Sequence, residues 1–471
     1  MITLQLDPSR VLGLPEPEKR TLRDLISVFN LHAAKNDEKN RYYEGHITLR
    51  EVNLGYALPD GVKNLEVGCS WGAKTVDVLA ARSMFDGFVG SNGTGADQLN
   101  DIVQSNRLIT EYMKACRDEL KYGCTFATLS RDPETGCRIR FHSPNTAAAL
   151  WNGASGRIGS GLAIIDSRKD ESDYNWRPTI LALYTDDAVW VLTRRDDGYW
   201  RAEWQPNGMG RPMMEPLIWN PTSDKPFGRS RIKEPVRNLI KSYVRTVANA
   251  TIALEFSTAP QKYLLGVTDE QYDALVNQKF RQYVGSVLLS TTNPDTGSNP
   301  QFGQLAQGNI QPHIEMMRMI ATQFSAATGL SVTDTGVVND ANPSSSDAIL
   351  AQTQTLVSMA EQLNAGNGDS LNVIAKMAQA VARNVSMDQL TDDEKNVVAH
   401  FKNPAMPSIS ATADAAIKIS SVRPEFASTD VFCEMVGFDQ ADIRRIRAQE
   451  QRVRGQKVLE EFNDNNGQTV G

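Results

Sequence analysis

Apolar positions recur every three or four residues near the start of the chain. Leu22, Leu25, Ile26, Phe29 and Ala33 share one face, while Arg20, Arg23, Asp24 and Lys35 fall off it, so a helix is predicted after "GLPEPEK". It leads into "RYYEGH" at 41–46, where paired tyrosines meet a glycine break. The same period predicts helices over 72–84 and 96–121, the second carrying Leu99, Ile102, Leu108, Tyr112 and Leu120. Past residue 122 the period shortens to that of a strand. "GCTFATLSR", "CRIRFH", "GLAIID", "PTILALYT", "AVWVLTR" and "GYWRAEW" are short, β-rich and separated by turn residues. Asp197–Gly198 between the last two is a hairpin turn signal. Residues 1–230 therefore read as an α+β domain with a mainly antiparallel sheet, and Trp190, Trp200, Trp204 and Trp219 as core or sheet-face packing.

At "KPFGRSRIKEPV" the helical period returns. Ile232, Val236, Leu239, Ile240, Tyr243, Val244, Val247 and Leu254 predict a helix of about 26 residues, roughly 39 Å long. A strand at "QKYLLG", a small helix over 268–284, a strand "SVLLST" and the Pro/Gly/Asn-rich loop "TNPDTGSNPQFGQ" follow. A second long helix carries Ile310, Ile314, Met317, Ala321 and Phe324 at spacings of four, three, four and three. After it, "TGLSVTDTGVVNDANPSSSDAIL" holds a loop of about fifteen residues, a length uncommon unless the loop has a function of its own or is disordered. Ser344 and Asp347 then stand at capping-box spacing and open a helix expected to reach Val385, with a bend or break at Gly366–Gly368. The remainder reads as a Pro-rich connector (403–408), a short helix with Ala415, Ile417 and Ile419, and a last helix from about Asp439 carrying Arg444, Arg445, Arg447, Arg452, Arg454 and Lys457.

Composition narrows the function. The 471 residues are 41% hydrophobic and 22% charged with a net charge of −7, which fits a globular protein and not a basic, sequence-reading DNA-binding domain. That balance leaves room for a protein that merely surrounds DNA. No apolar window is long enough for a membrane-spanning helix, so no membrane partner is expected. Five irregularly spaced cysteines (Cys69, Cys116, Cys124, Cys137, Cys433) and no signal-peptide pattern at "MITLQLDPSR" lead us to expect a reducing cytosol and no disulfide framework.

Catalytic motifs are few. "GCSWG" at 68–72 satisfies the G-x-S-x-G spacing of a nucleophile elbow, with "KNLEV" as a strand before it and His142, His313 or His400 as candidate bases. An esterase of the α/β-hydrolase type also needs an HGGG-type oxyanion segment and a parallel sheet, and neither is legible. The simpler reading has Ser70 capping a helix while Trp71 and Val76 pack. The glycine clusters "GSNGTG" and "GASGRIGSG" lack the Lys–Ser/Thr ending of a phosphate loop and read as turns. Five histidines without helical spacing give no metal site, and Asp196–Asp197 and Asp392–Asp393–Glu394 read as a turn and a helix start. No catalytic, cofactor-binding or metal-binding set is predicted.

Lys233, Arg237, Lys241 and Arg245 recur every four residues along the first long helix, with Arg229 and Arg231 ahead of them. The stripe is open to two readings, ion pairs with a solvated or neighbouring surface, or sequence-blind contacts to phosphates.

Two long helices flanking a small domain, the long loop and a basic last helix, together with "KPFGRSRI", "IATQFSAATGLSV", "NPSSSDAI" and "GFDQADIRR", resemble the portal proteins of tailed bacteriophages. The resemblance is strongest from Lys225 to Ile349. In the N-terminal half "TVDVLAARSMFDGF" carries it best. It implies a portal-like fold: an α+β wing over 1–230, stem helices at 231–258 and 309–328, a small α/β clip over 259–308, a tunnel loop over 329–343, a long kinked wing helix over 344–385, and remaining wing and helical crown over 386–471. It further implies a ring, typically of twelve copies, at the capsid vertex of the virion, assembled in the host cytoplasm. Double-stranded DNA would pass through it without sequence specificity. Its partners would be the packaging motor (terminase), a neck adaptor, and capsid and scaffolding proteins. Val332, Asp334, Val337, Val338, Asn339 and Asp340 would belong to the tunnel loop, with the two aspartates repelling phosphate. An esterase built on "GCSWG", or another ring-forming virion assembly protein, is the alternative.

Overall fold

The computed structural model describes residues 3–48, 67–90, 97–169, 176–258, 262–265, 297, 301–304, 309–337, 346–405, 409–438 and 440–467. Its helices are α1 (Glu16–Glu44), α2 (Trp71–Ala80), α3 (Asp97–Ser105), α4 (Leu108–Tyr122), α5 (Glu234–Thr258), α6 (Gln311–Thr328), α7 (Ser346–Arg383), α8 (Asp392–Lys395), α9 (Ile409–Val422), α10 (Asp430–Val436) and α11 (Gln440–Gly467). The strands are β1 (Val11–Leu12), β2 (Phe85–Gly90), β3 (Cys124–Asp132), β4 (Gly136–His142), β5 (Ala147–Asn152), β6 (Arg157–Lys169), β7 (Trp176–Tyr184), β8 (Ala188–Arg194), β9 (Trp200–Pro206), β10 (Met214–Ile218), β11 (Lys262–Leu265), β12 (Gln301–Gln304) and β13 (Val397–Phe401). Helix and sheet are mixed as the periodicity predicts. The chain divides into two compact units, one of residues 1–44, 73–233 and 343–471, the other of 45–72 and 234–342.

In the first unit a six-stranded sheet runs β1-β9-β8-β7-β6-β5, antiparallel except at β1–β9. The apolar face of α1 lies on it: Leu22, Leu25, Ile26 and Phe29 pack with Leu162, Ile164, Leu181, Leu183, Leu192 and Trp200. Alternation along each strand sends these side chains to one face, so one helix buries a whole row. The Asp197–Gly198 turn forms as expected, with Gly198 at φ +80° and the Asp197 carboxylate accepting from the Tyr199 amide. Trp200 and Trp219 are buried and Trp190 half-buried, while Trp204, opposite Trp190, is 58% exposed.

A second sheet, β10-β3-β4, is covered by α4 and α7, and β13 pairs with β2. Three local features depart from the sequence reading. Residues 96–121 form two helices, because the Asn106 side chain accepts from the Ile139 amide (2.8 Å), donates to the Cys137 carbonyl (2.8 Å), and leaves Arg107 at φ +50°. "AAALWN" and "MEPLI" are strands, although small residues in one and a proline in the other hide the pattern. Finally, α7 runs through Gly366–Gly368 without a break. Asn367 there is fully buried and donates to the Tyr112 hydroxyl (3.0 Å) and the Glu119 carboxyl (2.8 Å), and Tyr112 in turn bonds Ser83 (2.6 Å). Burial pushes the Glu119 carboxyl up to about 8.

Candidate functional site

The second unit is built on α5 and α6, which pack against each other. Val236, Ile240, Val244 and Ala248 are buried along α5 as one four-residue ridge, and Ile320, Ala321 and Phe324 are buried along α6. Asn309 accepts from the Gln311 amide at the start of α6 (2.9 Å), with Pro312 in the first turn where no amide bond is lost. Gly329, at φ +72°, ends the helix, its amide donating to the Ser325 carbonyl (2.8 Å). Leu330 is buried beyond it, and Ser325 Oγ donates to the Leu330 carbonyl. "FSAATGL" is thus a helix stop closed by a left-handed glycine. The other end of α6 differs: Ile314, Met316 and Met319 are 37%, 36% and 48% exposed, as is Leu254 of α5 at 45%. Ile314 belongs to the face predicted to pack, and within one chain it remains 37% exposed.

Trp71, only 2% exposed, closes this unit's core. Its ring stacks on Tyr243 at 4.2 Å and lies 4.5 Å from Phe324 at 33°. Burial holds the Tyr243 phenol above its usual range. The Trp71 indole N–H donates to the Thr335 carbonyl at 3.0 Å. The loop after α6 therefore begins as a folded turn. Asp334 accepts from the amide and hydroxyl of Ser331 (3.1 and 2.7 Å), Thr333–Thr335 is a 3-10 turn, and Gly336 caps it at φ +77°. Of the six loop residues singled out, Val332, Asp334 and Val337 are half-buried here, while Val338, Asn339 and Asp340 lie outside the described residues. So do Ser344 of the expected capping box, most of 259–308, and the strand expected at "KNLEV". Residues 301–304, read as loop, form β12 and pair antiparallel with β11.

The basic stripe lies one position after the buried ridge, about 100° around the helix. Lys233 is exposed, and Arg237, Lys241 and Arg245 are half-buried. Arg237 and Lys241 each make an interaction within the chain. Arg231 is no phosphate ligand. It is buried in the first unit, donating from Nε to the Thr75 carbonyl (2.6 Å) and from Nη1 to the Met359 sulfur (3.4 Å), with its guanidinium 5.7 Å from the Trp219 ring centroid. Burial lowers it to about 10. Around it Ser230 Oγ donates to the Lys121 carbonyl (2.6 Å) and the Arg231 amide to that of Leu120 (2.9 Å). Gly228 adopts φ +67°, where a Cβ would stand 2.2 Å from the Trp219 carbonyl oxygen. "GRSRI" is a lock ahead of the long helix. Its place just ahead of the basic stripe gave no hint of that burial.

Ser70 is an exposed turn residue before α2. His142 is bonded to Thr128 (3.0 Å) and lowered to about 4 by burial, and His400 faces Asp86 (3.8 Å) and Glu434 (3.6 Å). "GASGRIGSG" covers the β5–β6 hairpin turn, where Asn152 accepts from the Ala154 amide. Asp392–Glu394 opens α8 under a Thr391–Glu394 capping box. Among the described residues no group of acidic, histidine or cysteine side chains could hold a metal, and no helix is long and apolar enough to cross a membrane.

Comparison with known proteins places the chain. It resembles solved chains from the virion of a native gene transfer agent particle (10% identity, TM-score 0.44, covering 74% of this chain and 84% of that one). A chain from the neck of the native particle computed with C12 symmetry gives 11%, 0.45, 79% and 90%, and one from the neck of the empty particle with C6 symmetry gives 10%, 0.44, 75% and 85%. No curated protein sequence matches. The profile of the family described as "Phage portal protein, SPP1 Gp6-like" matches residues 23–455, nearly the whole chain. The chain therefore belongs to the SPP1 Gp6-like phage portal family and is a virion protein of the portal vertex.

Proposed function

We propose that copies of this chain close into a ring, of about twelve by the family's habit, through which double-stranded DNA is packaged and later ejected. The observation that carries the ring is the apolar surface left on α6: Ile314, Met316 and Met319 are 37%, 36% and 48% exposed in the single chain. Each such side chain contributes roughly 1.5–3 kcal/mol when fully buried, so neighbouring copies are its natural cover. In this reading α5 and α6 are the stem and residues 259–308 are the clip that docks the packaging motor and then the neck adaptor. Residues 329–343 are the tunnel loop, residues 1–230 and α7 are wing, and the helices beyond residue 386 lead to the crown. The net charge of −7 suits a conduit that must not grip the polymer it passes. The basic stripe divides between contacts to adjacent copies and contacts to the channel. Native mass spectrometry of the purified protein tests the assembly: one closed species near twelve times the 52.0 kDa chain supports it, and a monomer overturns it. Replacing residues 337–341 with a short Gly–Ser link should then keep that mass and impair packaging.

A further inference from the structure

We propose that Trp71 is the positioning residue of the loop after α6: its indole N–H pins the loop's root, residues 330–336, to the helix pair. The functional meaning of this rests on the tunnel-loop reading, but the pin itself does not. The root is closed internally by three 3.1 Å bonds, from the amides of Asp334, Thr335 and Gly336 to the carbonyls of Ser331, Val332 and Thr333. Ser325 Oγ holds the Leu330 carbonyl at one end. At the other end the Thr335 carbonyl receives the Trp71 N–H at 3.0 Å. That bond lies in the interior, since Trp71 is 2% and Thr335 8% exposed, so water does not readily replace it when it breaks. Immediately afterwards Gly336 takes φ +77°, a conformation other residues rarely adopt. The indole stacks on Tyr243 at 4.2 Å and also meets Phe324 at 4.5 Å, so the Tyr243 stack still holds the donor when Phe324 is shortened. A phenylalanine would fill most of that slot and offer no donor, whereas the ring stack alone would be served by any aromatic residue.

The test compares Trp71→Phe with Phe324→Leu in the assembled full-length protein by hydrogen exchange. Trp71→Phe should speed exchange of the Asp334, Thr335 and Gly336 amides about tenfold, the equivalent of one lost buried hydrogen bond, with little change in thermal midpoint. Phe324→Leu, which loosens the stack and keeps the donor, should lower the midpoint and leave those amides within about twofold of wild type. Unchanged exchange in Trp71→Phe, or equal acceleration in both variants, overturns the pin. DNA packaging by the same assemblies separates the two layers. Accelerated exchange with reduced packaging supports both, and accelerated exchange with normal packaging keeps the pin and removes the loop's part in DNA passage.

Discussion

Glu119→Gln should stabilise the protein at neutral pH and do almost nothing at pH 4.5. Glu119 is fully buried between α4 and α7, its Oε2 accepting from Asn367 while its Oε1 and the Asn367 Oδ1 have no partner. Burial raises its pKa from an ordinary 4.5 to about 8, with only the Asn367 bond opposing. An acid raised on folding exacts no cost below its unfolded pKa. The cost grows as pH rises toward the folded value and levels off above it. At pH 7 the folded chain retains a proton that the unfolded chain has released. At 1.36 kcal/mol per pH unit that amounts to roughly 3 kcal/mol. Glutamine keeps the shape, cannot titrate, and brings a donor to a pair whose Asn367 oxygen lacks one. Urea unfolding of both proteins at half-unit steps from pH 4.5 to 8 should give curves that coincide at the acid end and diverge steadily toward neutrality. Parallel curves across that window would refute the reasoning, because some other group would then carry the pH dependence.

Three further outcomes follow from the same contacts. Arg231→Ala should cost about 3 kcal/mol, since it removes a buried side chain that bonds the Thr75 carbonyl and lies on the Trp219 ring, and a loss under about 0.5 kcal/mol in thermal unfolding would show that the lock is dispensable. Changing Lys233, Arg237, Lys241 and Arg245 together to glutamine should weaken the ring as well as alter DNA passage, with added salt mimicking part of the first effect. A ring of unchanged thermal stability with only translocation altered would assign the stripe to the channel alone. Ser70→Ala should fold and assemble as wild type, whereas an ester-hydrolysing activity that disappears in this variant would revive the "GCSWG" reading.

Much of the fold is legible because periodicity reports burial directly. The face of α1 and the β6–β9 strands read correctly from alternation alone. What escapes is set by single side chains acting across the chain. Asn106 splits a helix by bonding a strand edge thirty residues on, and Asn367 holds α7 through a pair of glycines that propensity marks as a break. Periodicity also cannot say who does the burying. Ile314 on α6 and Ile417 on α9, the latter 62% exposed, satisfy an apolar pattern that this chain alone does not cover. For the loop, polar composition points to an open segment, yet its first part is anchored by a tryptophan far away in sequence that a catalytic motif had drawn attention to for another reason.

Electron cryomicroscopy of the purified assembly tests the central claim most directly. A closed ring with α5 and α6 beside the bore, the 329–343 loop directed into it, and Ile314, Met316 and Met319 buried between adjacent copies is the predicted result. A monomer, or a ring in which the α5–α6 pair faces outward with those side chains still in solvent, would contradict it.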